Sequence, residues 1–106
     1  MPDAVGFLIL KTAVCRYREK PKDPYDIYYY CRYSDDPAAI RDKFKNSISE
    51  PAVQDAANAL KKMFAYEDSK WVEMILDYME IVGADARDQD ARIIVRTIGR
   101  VTDGIP

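Results

Sequence analysis

Apolar positions recur every three or four residues along nearly the whole chain, the spacing of amphipathic helices. Residues 3 to 18 read as the first helix. Val5, Leu8, Ile9, Ala13 and Tyr17 share one side, and Phe7, Leu10 and Val14 share another. Such a wide apolar surface calls for cover on two faces, from another domain or a second subunit. Pro2 suits the first turn and Asp3 the positive helix end. Branched and aromatic residues cluster in Val5 to Leu10, so a short strand there is the alternative.

Lys20–Pro21 ends this helix, because the residue before proline avoids the α region. A second helix is expected from Pro24 to about Tyr33, with Asp23 as N-cap, Pro24 at the first helical position and Asp26 at the third. Tyr25 and Tyr29 pair at i,i+4 on it. Asp35–Asp36–Pro37 repeats the start signal, with Asp36 as N-cap. The helix it opens runs to about Ser47, with Ile40, Phe44 and Ile48 inward. Ser49–Glu50–Pro51 opens the next, in which Val53, Ala56, Ala57, Leu60, Met63 and Phe64 keep the helical period. Ser69 caps another, carrying Val72, Ile75, Leu76 and Met79, and Gly83 is expected to stop it in a left-handed turn. The last spans about Asp88 to Val101, with Ala91, Ile94, Val95, Ile98 and Val101 as its apolar stripe.

No strand pair or internal repeat stands out. The expected fold is all-α: a single domain over 1–106, with five or six short helices around one core. The motif turn and helix occupy 18–33, a helical bundle 37–101, and a frayed tail 102–106.

Composition narrows the chemistry. The chain has 106 residues, enough for one domain with a modest core. Its net charge of −2 offers no global attraction to nucleic acid or an acidic membrane. There is no histidine, which rules out His-based triads. Two cysteines without a Cys-x-x-Cys leave no basis for a zinc site, and no metal ligands are assigned. Cys15 and Cys31 are expected to be buried free thiols. The apolar run Val5 to Leu10 lacks a basic leader and is too short to span a bilayer. A cytoplasmic protein without membrane contact is the expectation.

Charge and aromatic side chains concentrate between Lys20 and Tyr33, KPKDPYDIYYYCRY. Arg18, Lys20 and Lys22 crowd a helix start, where free N–H groups already attract anions. Asp23 and Asp26 suit helix capping first and a phosphate-facing site second; one can cap while the other faces a cleft. The tyrosines suit half-buried packing, or a stacking platform for bases. Arg92, Arg96 and Arg100 line up at i,i+4 spacing. They form either a solvated face with an Asp88–Arg92 pair or a contact for phosphate or an acidic partner.

The segment Arg18-x-Lys20-Pro21-Lys22-Asp23-x-Tyr25-Asp26-Ile27-Tyr28-Tyr29 resembles the distal motif of the abortive-infection (AbiE-type) toxin nucleotidyltransferases. In that family a helix lysine is followed by an arginine and then by Lys–Asp–x–x–Asp leading into an aromatic helix. The matching positions are Lys11, Arg18, Lys22, Asp23 and Asp26, and the likeness covers about residues 7–33. It implies the C-terminal helical region of a nucleotidyltransferase, its motif helix lining a nucleotide cleft. Lys11, Arg18 and Lys22 would bind nucleotide phosphates. Asp23 and Asp26 would be the catalytic carboxylates of this chain. Mg²⁺ and a nucleoside triphosphate would be the cofactors if the family activity applies, with none expected for this chain alone. The family's Gly–Ser turn and Asp–x–Asp strand are absent. The only Asp–x–Asp is Asp88–Gln89–Asp90, at an expected helix start.

The expected function is therefore a non-autonomous helical domain that contributes phosphate contacts, inactive by itself. An N-terminal catalytic domain, an antitoxin-like protein or a second copy is its expected partner. The alternative is a small interaction module that dimerises or docks through its apolar first helix.

Overall fold

Asp3 accepts a hydrogen bond from the Gly6 N–H at 2.7 Å and starts helix α1 (Ala4–Tyr17), a cap worth about 1 kcal/mol. The computed structural model describes residues 3–34 and 36–105, so the readings placed on Pro2, Asp35 and Pro106 fall outside the described residues. Val5 to Leu10 is helical. The helix satisfies its own backbone, whereas a strand would have no partner, since the described residues contain no other strand. Thr12, buried in α1, turns its hydroxyl onto the Leu8 and Ile9 carbonyls at 2.9 and 3.0 Å.

After the turn at Glu19–Pro21 come α2 (Lys22–Tyr29) and one π-helical turn, Tyr30–Ser34. Next are α3 (Pro37–Asn46), α4 (Pro51–Met63), α5 (Lys70–Tyr78) and α6 (Ala84–Thr102). Asp36 and Ser69 cap α3 and α5 as their spacing predicts. Ser69 also donates to the Met63 carbonyl at 2.8 Å, fixing the α4–α5 corner.

Leu8, Ile27, Ile40, Phe44, Leu60, Ile75 and Ile94 meet in one fully buried core. The long α6 packs on α3, α5 and α4, and α1 packs on α2, α4 and α3. Helix α2 lies between α1 and α5. That arrangement brings the inner flank of α1 beside the first turn of α2. The fold is all-α, as the periodicity implies. No described helix is long and apolar enough to cross a membrane.

Several local readings are corrected. Asp23 is not an N-cap: α2 begins at Lys22, Pro21 holds the cap position without a side-chain bond, and Asp23 turns inward. The buried carboxylate takes the Arg18 guanidinium and the Lys11 ammonium in place of a cap that water could replace. Gly83 does not stop α5. That helix ends at Tyr78, Glu80 takes the left-handed conformation at φ 57°, and Gly83, at φ 93°, begins α6. Helix α6 thus starts four residues earlier than its apolar stripe indicates, because its first turn is exposed and carries no core residue. Arg92 faces Glu67 at 3.9 Å rather than Asp88. The described part of the tail is anchored: Ile105 is buried and its carbonyl accepts from the Lys61 ammonium.

Candidate functional site

Lys11 projects from the side of α1 that meets α2, and Arg18, the extended residue just past the last turn of α1, brings its guanidinium to the same place. The Pro21 turn then returns the chain antiparallel and presents Asp23 and Asp26, one turn apart on α2, to the same side. All five motif residues meet there. Arg18 donates from Nε and a terminal nitrogen to the two oxygens of Asp23, at 2.9 and 3.2 Å. Lys11 Nζ lies 2.9 Å from Asp26 Oδ2 and 3.7 Å from Asp23 Oδ1. Lys22 Nζ reaches the same Asp26 oxygen at 3.0 Å.

Burial divides the two carboxylates. The Asp23 side chain is 3% exposed, whereas Asp26 lies at the rim. A buried carboxylate is tolerated only with charged donors, and here it has a forked guanidinium and a neighbouring ammonium. Burial works to raise the Asp26 carboxyl, but the Lys11 and Lys22 ammonium groups outweigh it and hold the group below the usual carboxylate range. Its bond to Asp26 likewise raises Lys22.

The cations keep donors to spare. An ammonium has three N–H groups and a guanidinium five. Lys22 spends one on Asp26 and is 64% exposed; Arg18 spends two on Asp23 and is 52% exposed. An anion can therefore join the rim without breaking the existing bonds. A bare divalent cation fits poorly. Both Asp23 oxygens and one Asp26 oxygen are already held by cations, and no group of three carboxylate or thiol donors able to hold a metal gathers among the described residues. The Mg²⁺ that the resemblance implies would need oxygens from outside these residues.

Beyond Asp26 the tyrosines divide. Tyr28 is buried and accepts a hydrogen bond from Arg32, and Tyr30 stacks on Phe7 with centroids 4.4 Å apart. Tyr78, Tyr25, Tyr29 and Tyr33 form an outer row, with successive centroids 4.6, 5.9 and 4.9 Å apart. Their rings lie against one another. Cys15, on α1 beside the network, and Cys31 are buried free thiols. Burial pushes both up to about 12, with the Asp23 charge adding at Cys15.

The sequence reading missed Arg87. It binds Glu73 at 2.7 Å, Asp77 at 3.1 Å and the Ile81 carbonyl at 2.8 Å, and so ties α6 to α5. The only signal was the acidic i,i+4 pair on α5. Arg87 also borders an open groove of about 390 Å³, which is lined by Glu67, Asp68 and Asp88. None of the five motif residues lines it. Arg92, Arg96 and Arg100 are exposed along α6.

No protein-family model, no curated protein and no solved structure matches the chain.

Proposed function

We propose that this chain acts as the helical, C-terminal part of a nucleotidyltransferase-like protein of the abortive-infection toxin type, supplying phosphate contacts from Lys11, Arg18 and Lys22. One observation carries the reading. The five residues that bear the resemblance, scattered over sixteen positions from Lys11 to Asp26, form a single ion network with unspent donors at its rim. In this reading Lys22 and Arg18 bind triphosphate oxygens. Asp26 faces the ligand, and Asp23 is a positioning residue that holds Arg18 and Lys11 from beneath. The carboxylates that bind catalytic metal would come from a preceding domain, so the chain alone binds but does not transfer.

Calorimetric titration with nucleoside triphosphates and Mg²⁺ tests this. Weak saturable binding, in the range of about 0.1–1 mM, is expected, weakened several-fold by Lys22→Ala. An absence of heat with every nucleotide refutes the phosphate-binding role. The reading puts the protein in the cytoplasm, where buried free thiols such as Cys15 and Cys31 stay reduced.

A second reading has its own observation. The outward side of α1 carries exposed Leu10 and Tyr17 with no charged residue between them on that stripe, which favours a docking face.

A further inference from the structure

Helix α1 turns Ala4, Val5, Leu8, Thr12 and Cys15 to the core. On the opposite side Gly6, Leu10, Ala13 and Tyr17 follow one another at intervals of four, three and four residues. That is a two-heptad a/d seam, placed outward. Leu10 is 61% exposed and Tyr17 91%. Phe7 and Val14 flank the seam on one side, Ile9 and Arg16 on the other, and all but Arg16 are half-buried.

Resting on the docking-face reading, we infer that the occupant of this seam is a second copy of the chain, its α1 packed antiparallel on the first. Three features select that partner and direction. First, sizes alternate along the seam. An antiparallel pair centred between Lys11 and Thr12 sets Tyr17 over Gly6 and Leu10 over Ala13, large against small at every layer. A parallel pair would set Tyr17 on Tyr17 and Gly6 on Gly6, a clash beside a gap. Second, the flanks agree. Phe7 meets Val14 of the other copy, and Ile9 meets the apolar stem of Arg16, whose guanidinium donates to the Asp55 carbonyl of its own α4 at 3.3 Å. Third, the helix ends differ in charge. Asp3 marks one end, and Arg16, Arg18 and Lys20, with one carboxylate, Glu19, that Lys70 already pairs, mark the other. Antiparallel packing brings opposite ends together, whereas parallel packing stacks the two basic ends. The helices are preformed by their own cores, so association costs no folding. The seam is short and its area small, so the dimer is weak and exchanging.

Sedimentation equilibrium of the whole chain from about 10 µM to about 1 mM tests this, with mass rising toward that of the dimer. Leu10→Glu, at an exposed position, keeps its circular dichroism melt and stays monomeric. Oxidative crosslinking checks the direction. Tyr17→Cys mixed with Gly6→Cys gives a crosslinked pair, while Tyr17→Cys alone does not. In the antiparallel register two copies of position 17 lie about 16 Å apart along the axis, beyond disulfide reach. A wild-type monomer at every concentration overturns the inference, and so does self-crosslinking of Tyr17→Cys. Neither bears on nucleotide binding, which is read separately by calorimetry.

Discussion

Asp23→Ala is the sharpest probe of the ion network. The substitution removes the acceptor of two Arg18 bonds and the anion 3.7 Å from Lys11. Gross attraction at such distances is about 4 kcal/mol for an effective dielectric near 20. Most of it is offset by the desolvation that the folded state no longer suffers once the buried carboxylate is gone. What remains is the net value of a hydrogen-bonded charged group, roughly 1.5–3 kcal/mol, plus a small void beneath Lys11. We expect a loss of about 2–3 kcal/mol in urea unfolding. That corresponds to a fall of about 10 °C in Tm for a domain of this size. Arg18→Ala destabilises in the same direction although Arg18 is half exposed, because it leaves Asp23 buried with Lys11 alone. The double variant then loses less than the sum of the two. A loss below about 0.5 kcal/mol for Asp23→Ala, or strict additivity with Arg18→Ala, would refute the claim that Asp23 anchors the turn.

Other expectations follow from single residues. Asp26 has a depressed carboxyl in the fold, so the unfolded chain takes up protons first as pH falls. Its contribution is present above the ordinary carboxylate value and is lost as pH drops through the native one; Asp26→Asn should flatten that part of the pH–stability curve measured by urea titration. Cys15 and Cys31, buried with thiols near 12, should resist a thiol reagent at mild alkaline pH and both react in urea; rapid labelling of the native chain would contradict the packing. The two glycines Gly83 and Gly99 should behave oppositely. Gly83 sits at φ 93° and ψ 133°, a conformation nearly confined to glycine, with open space around it, so Gly83→Ala costs about 1–3 kcal/mol through backbone strain alone. Gly99 lies inside α6, also with room for a Cβ, and Gly99→Ala gains up to about 1 kcal/mol. Urea midpoints of the two variants decide the signs.

The sequence by itself determined the helices and most of their starts. Period and capping are local properties, so Asp36–Pro37, Ser69 and the stripes of α4 and α6 could be read without knowing what they pack against. The resemblance to the abortive-infection motif also grouped Lys11, Arg18, Lys22, Asp23 and Asp26 as a set. Tertiary structure alone decided what those residues do to one another. Asp23 has the sequence signature of a cap, and only the return of α2 against α1 shows that Arg18 and Lys11 claim it first. Arg87 likewise acquires partners only because α6 crosses the acidic edge of α5. The same holds for the anchored tail, whose last described carbonyl finds Lys61 across 44 positions. Local rules count the bonds a residue can make with its chain neighbours. They cannot rank those bonds against stronger ones supplied by residues that arrive from elsewhere in the fold.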